Sequence, residues 1–589
     1  MRRPGFLAWI ALTSLLAGCG GGGSPSVGDG IAVVGSAPGP AQLVVSGRIT
    51  FERPSRNADH TLNFQLTGRE PARGVAVELR AAADGRVLAT VATDADGAYA
   101  ANIAGTSFTV RARAELRRAG PGGFGFTVRD NTAGQALYTL DSAVVTPGGS
   151  AVTVDLHAPA GWTGTGFGAT RAAAPFAILD TAWQVRELLQ QTEPGLTLPE
   201  FQIYWSPLNR GEEPGGACEG RPDPATGRIG SSFFTASGRP ASDSCPAIPA
   251  GIYLQGDADG TLDDDADEFD ESVIAHELGH YYEAFLARSD SMGGPHALLS
   301  VLDPRAALSE GFGNAFQSFV LGDPVYRDTL GTAGQRVFHF DLDRLSQPVL
   351  SVRDYYSEAC VAELLWDFAD ADDLQDVDRD RLGLGFAALH AVWRNDLVAT
   401  PALAGIHVIA RALRERHPQH AADIDALLAG CAISGSDDFA SGETGPDEEP
   451  GALPLYRPAT LGLPLTVIST DRYAAAGETF DRAWNRFGTR RFIRVELPAS
   501  GGMTITASAA TGSDPNFVLW RRGVDQCPQG GACSGADDSA ATGREEAIFT
   551  NRPAGTYVLE VYECSNLGRR CRPGPARGET AIEVTVTQP

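Results

Sequence analysis

Residues 271–285 read ESVIAHELGHYYEAF and place two imidazoles and a carboxylate where they can share one metal ion. Residues four apart lie on one face of a helix, so His276 and His280 can both point at a single zinc, with Glu277 one step round toward it. Two neutral imidazoles hold the ion, and the carboxylate acts as general base toward the water the metal activates. Val273, Ile274, Leu278, Tyr281 and Tyr282 supply an apolar helix around this polar group, and Asp270 or Ser272 is placed to cap its start. A catalytic zinc needs a third protein ligand and an open position. Glu310, in ALSEGFGNAFQSF, is the candidate, on a second predicted helix where Asn314 falls four residues later on the same face. His296, in the intervening SDSMGGPHALLSVLDPR, is the rival third ligand, and Glu283 reads as a carboxylate on a helix face. A developing oxyanion also wants a donor, and of the adjacent Tyr355 and Tyr356 in RDYYSEACVAELLWDFAD, Tyr356 is the preferred one. His339, His390 and His407 sit on apolar runs and read as packing residues.

The string HELGH resembles the zinc motif of the zincins, and the metzincin continuation with a third histidine six residues on is absent. The pair Glu310 and Asn314 resembles the gluzincins, in which a glutamate of a downstream helix is the third ligand and a polar residue four later holds a ligand histidine. That resemblance implies that Glu310 ligates and that Asn314 accepts from the outer nitrogen of an imidazole. The separation of Glu310 from His280 is longer than is usual in those families. PFAILDT, DEFDESVIAHELGHYYE, LSEGFGNAF and LLWDFAD together resemble a group of bacterial lipoprotein zincins, over residues 171 to about 431. The resemblance implies zinc as cofactor and protein or peptide as substrate. A surface adhesin that keeps the zincin core as a scaffold and binds through its flanking domains is the alternative reading, and zinc-dependent hydrolysis of another amide is a third.

The elements that must position these residues divide the chain into blocks. Residues 161–433 carry helical periods, as in PFAILDTAWQVRELLQQ, and are expected to form a mostly helical α+β catalytic domain. Residues 41–160 alternate apolar and polar in LVVSGRITF, GVAVELRAA and FTVRARAEL, the pattern of a small β-sandwich. Within them GVAVEL followed by TDADGAYA resembles the carboxypeptidase-regulatory or prealbumin-like Ig-type module, usually a spacer or binding accessory. Residues 434–470 read as an acidic Gly/Pro linker. Strands return over 471–589, where NFVLWRRG and RPAGTYVLEVYE resemble the pre-peptidase C-terminal domain, a sandwich appended to secreted bacterial proteases. The expectation is therefore a multi-domain protein: a mostly helical α+β core flanked by two small all-β sandwiches.

The chain of 589 residues begins with Arg2 and Arg3, an apolar run and LLAGC, the layout of a secretory signal over residues 1–19. LLAGC resembles the lipobox of bacterial lipoproteins, which implies that Cys19 is lipidated and anchors the chain to a membrane. Gly20 after it implies outer-membrane sorting in a Gram-negative cell, and residues 20–40 form a Gly/Ser/Pro linker. Of nine cysteines this leaves an even number for an oxidising compartment, and proximity pairs them as Cys218/Cys245, Cys360/Cys431, Cys527/Cys533 and Cys564/Cys571. The formal net charge is −26, with arginine supplying every cationic side chain, which argues against nucleic acid as a partner. Part of the negative charge sits in DADGTLDDDADEFD, residues 257–270, where Asp257, Asp259, Asp263, Asp265 and Asp267 have a spacing that suits oxygen ligands of calcium. DADDLQDVDRD, residues 370–380, is a second such cluster.

Overall fold

The computed structural model describes residues 42–588 apart from 169, 212–221, 242–244, 257–264, 332–333, 345–351, 371–381, 436, 446–450, 475–482, 529–542, 569–570 and 572–574. The signal segment with Cys19, and Asp257, Asp259, Asp263, Cys218 and Cys533, lie outside the described residues, as does most of the second acidic cluster.

Alternation governs the N-terminal strands. In Gln42–Arg56 the side chains of Leu43, Val45, Ile49 and Phe51 face inward and are fully buried. This strand pairs antiparallel with Ala98–Ala104 along its first half and with Leu62–Pro71 along its second. A second sheet has nine strands. Its main path runs Phe233–Thr235, Gly251–Leu254, Phe201–Trp205, Phe124–Asp130, Phe108–Arg118, Val75–Ala81, Val87–Ala92. Phe201–Trp205 lies parallel to Phe124–Asp130, with Phe201 opposite Phe126. A parallel pair needs a crossover, and helix α1 (Ala174–Thr192) provides it. The sheet therefore runs unbroken across residue 160, joining strands of the N-terminal block to strands that follow α1.

This corrects the expectation of a mostly helical core: the described structure is 37% strand and 25% helix, arranged in several sheets. FQIYW and GIYL are parallel strands covered on both faces, so they read as continuous apolar runs without alternation, and a hairpin of Val325–Leu330 with Arg336–Asp341 adds two more.

Three further helices carry the polar groups singled out above: α2 (Glu271–Leu286), α3 (Pro304–Leu321) and α4 (Glu358–Asp367). Glycine sets how closely they approach. A Cβ on Gly279 of α2 would stand 3.3 Å from the Gly313 Cα of α3, and one on Gly311 would stand 2.7 Å from Val361 Cγ1 of α4. The N-terminal strand grips the start of α2 and the middle of α1 through arginine: Arg53 pairs with Asp180 at 3.1 Å and Glu271 at 2.9 Å, and Arg56 with Asp270 at 3.0 Å. Asp270 thus does not cap α2 with its side chain; its other oxygen accepts from the Thr329 backbone N–H and hydroxyl.

The C-terminal strands form two sheets around their own core, in which Val467, Ile493, Ile505, Tyr557 and Val584 are buried. That body docks on the N-terminal end of α3, where buried Arg305 bridges Asp303 and Glu560 at 2.9 and 2.7 Å. Disulfides join Cys360 to Cys431 and Cys564 to Cys571, and Cys527 is also disulfide-bonded. Cys245 is a buried free thiol among the described residues, and Cys218, its expected partner, lies outside them.

Candidate metal centre

Helix α2 presents His276 and His280 one turn apart, with ring centroids 4.9 Å from each other. Helix α3 crosses it and lays the Glu310 carboxylate against both: Oε2 is 3.4 Å from His276 Nε2 and 3.2 Å from His280 Nε2. Oε2 is buried and has no hydrogen-bond partner. Ligand atoms on a tetrahedral zinc at 2.0–2.1 Å stand about 3.3 Å apart, so this spacing and the orphaned oxygen both fit the ion. Two imidazoles and one carboxylate are moreover donors of the type zinc takes, and these three atoms all lie within 4.8 Å of one another. Gly313 makes the approach possible, because a Cβ there would stand 2.7 Å from His276 Cε1.

The outer nitrogens of both imidazoles are held. His276 Nδ1 lies 3.0 Å from Asn314 Oδ1, and Asn314 Nδ2 in turn donates to Glu358 Oε1 at 2.9 Å. His280 Nδ1 faces Ser309 Oγ at 3.2 Å and Glu283 Oε2 at 3.5 Å, and the serine hydroxyl donates to that same Glu283 oxygen. Such partners fix the tautomer, turning the Nε2 lone pair toward the metal position. Glu283, read from sequence as an ordinary helix-face carboxylate, is fully buried. Its spacing of three from His280 on α2 was the available signal.

His296 comes in from the 288–303 loop. Its Nε2 is 3.3 Å from Glu310 Oε2 and 3.9 Å from Glu358 Oε2, and its Nδ1 faces the Gly294 carbonyl. The Glu310 carboxylate therefore sits among three imidazoles, and both sequence candidates for the third ligand arrive at one place. The Tyr356 ring stacks on Phe487 with centroids 4.8 Å apart, while its carbonyl accepts from the Leu302 N–H. Tyr326, on the hairpin, instead packs its ring 6.2 Å from that of His276. Sequence offers no sign of this, because the hairpin is brought to the helix only by the fold. His390 and His407 are engaged with Glu193 and Glu443, both at 2.9 Å.

Electrostatics divide the two glutamates. Burial pushes the Glu277 carboxyl upward, against the opposing pull of His276 and His280, so this group holds a proton more readily than an exposed glutamate. Burial works in the same direction on Glu310, but His296 and His280 overcome it and keep it well below the usual carboxylate range. Burial alone would lower His280; Glu310 and Glu283 reverse that and raise it well above the usual imidazole value.

No protein-family model matches the sequence, and no curated protein matches it. Among solved structures, part of the chain is similar to the pre-peptidase C-terminal domain of a collagenase from Bacillus anthracis, with 16% identity and TM-score 0.14, covering 22% of this chain and 94% of that one. A surface-associated copper-binding protein from Methylomicrobium album BG8 is similar at 13% identity and TM-score 0.16, over 23% of this chain and 99% of that one. A periplasmic inhibitor of g-type lysozyme from Aeromonas hydrophila is similar at 18% identity and TM-score 0.14, over 22% of this chain and 96% of that one.

Proposed function

We propose that the protein is an exported zinc peptidase of gluzincin type, tethered through a lipid on Cys19 to the outer membrane of a Gram-negative cell and acting on protein or peptide substrates. The observation that carries the zinc reading is the convergence of His276, His280 and an unpartnered Glu310 oxygen from two helices, with Glu277 beside them. The substrate class rests on the resemblance of HELGH and its downstream glutamate to the zincins, and the location on that of LLAGC to a lipobox.

A zinc ion held by His276, His280 and Glu310 supplies Lewis acidity to a water and to a carbonyl oxygen. Asn314 and the Ser309/Glu283 pair hold the two imidazoles in the tautomer that leaves Nε2 free. Glu277 takes the proton of the attacking water and returns it to the leaving amine, and the upward push of burial on its carboxyl favours that shuttle. Tyr326, whose ring packs beside that of His276, and His296, whose Nε2 lies 3.3 Å from Glu310 Oε2, are the candidates to donate to the oxyanion.

The test joins metal content to cleavage. Wild-type protein is expected to hold one zinc and to cleave a general protein substrate in a chelator-sensitive way. Glu277→Gln should keep the zinc and lose roughly 10²–10⁴-fold in rate. A wild type that holds zinc but shows no chelator-sensitive cleavage across a broad peptide library would refute the peptidase reading and leave a binding scaffold.

A further inference from the structure

Between the nine-stranded sheet and α2 lies a second group of carboxylates. Glu268 and Asp270, both fully buried, each have an arginine: Glu268 pairs with Arg171 and Asp270 with Arg56. Asp265, Asp267 and Asp328 have none among the described residues. Each of these three offers a carboxylate oxygen within 4.8 Å of the other two, although Asp328 comes from the hairpin and its companions from the segment leading into α2. Asp267 is only 2% exposed. Its Oδ2 accepts from the Ser232 hydroxyl, but its Oδ1 is buried without a hydrogen-bond partner, as are Oδ1 of Asp265 and Oδ1 of Asp328.

Asp265 Oδ2 likewise accepts from Gln255 Nε2 at 3.0 Å, so Asp265 and Asp267 each have a donor on one oxygen only. A buried carboxylate with no cation and one oxygen unsatisfied costs several kcal/mol if it stays ionised, and three facing one another compound the cost. Two remedies exist: the group takes up protons, or it takes up a metal. Burial, with repulsion from Asp270, pushes Asp265 up to about 7, and burial, with repulsion from Asp265 and Asp270, pushes Asp328 up to about 8, so the first remedy fails progressively as the surroundings become alkaline. Hard oxygen donors with no nitrogen or sulfur among them select a hard cation, and oxygens within 4.8 Å of one another are within reach of calcium, whose ligands sit about 2.3–2.6 Å away.

We infer that Asp265, Asp267 and Asp328 form a calcium site that ties the segment ahead of the metal-binding helix to the Val325–Leu330 strand. The site is separate from the zinc centre and takes different donors. Water completes the six to eight oxygens that calcium requires. The ion would hold the hairpin, and with it Tyr326, against the start of α2.

The test uses the full chain with its zinc in place and calcium alone as probe. Wild type is expected to take up calcium in titration calorimetry and to gain a few degrees in melting temperature on addition of about 1 mM calcium. Asp267→Asn and Asp328→Asn should bind calcium at least tenfold more weakly and lose the thermal gain, while retaining one zinc, which shows that they are folded. Asp257→Asn and Asp259→Asn should behave as wild type. The inference is overturned if wild type takes up no calcium, if Asp328→Asn responds as wild type does, or if the response disappears with the residue 257 and 259 variants instead. None of these readouts requires peptidase activity, so the calcium site and the proposed reaction stand or fall separately.

Discussion

The outer nitrogen of His280 faces a buried serine and a buried glutamate, whereas that of His276 faces a neutral amide. The two imidazoles are therefore held by partners of different charge, and Glu283 contributes to the raised proton affinity of His280. Removing that charge while keeping the shape should loosen the ring and make its lone pair a poorer ligand. Glu283→Gln is expected to weaken zinc binding by about 10–100-fold, measured by competition with a chromophoric chelator. Proton release on metal uptake should also fall, because His280 then starts from a lower pKa and is more often neutral beforehand. At this scale the sequence was informative where chemistry depends on spacing along one helix. His276, Glu277 and His280 are four residues or fewer apart, and so are Glu310 and Asn314. Glu358, Tyr326 and the environment of Glu283 depend on which surfaces meet, and no local pattern records that.

Helix α3 contains Gly311 and Gly313, each about 1 kcal/mol worse than alanine in a helix interior, so its sequence argues weakly for a helix. Packing overrides propensity because those positions are where α2 and α4 come closest. The two glycines at the α2–α3 contact are not equivalent. A Cβ at 313 meets the ligand ring itself at 2.7 Å, whereas one at 279 meets a backbone carbon and Phe316 at 3.3 Å. Gly313→Ala should therefore displace His276 and reduce zinc affinity by tenfold or more. Gly279→Ala should keep the zinc and lose about 1–3 kcal/mol of stability, as judged by zinc content and urea denaturation of the same preparations. The helices were legible from their periods; the strands Phe201–Trp205 and Gly251–Leu254 were not, because a strand covered on both faces shows no alternation to read.

The C-terminal body reaches further into the molecule than an appended accessory would. Trp484 Nε1 donates to the Met292 carbonyl at 3.1 Å, an Arg486 guanidinium nitrogen donates to the Pro295 carbonyl at 2.8 Å, and the Phe487 N–H donates to Val301 at 3.1 Å. Those three contacts span the loop that carries His296. The loop is thus clamped from outside the metal-bearing helices. Trp484→Ala is expected to leave zinc content unchanged, to make the 288–303 segment a preferred site of proteolytic nicking, and to change kcat/KM severalfold. The unbroken sheet has a consequence of its own, which concerns time. Synthesis proceeds from the N-terminus, so Phe124–Asp130 exists as an open parallel edge until α1 and then Phe201–Trp205 have been made. Throughout that interval the nascent chain offers a row of unpaired amides and carbonyls to any neighbouring strand. The period in which this protein most needs an escort is therefore written into the distance between two strands, and it closes only when the second of them arrives.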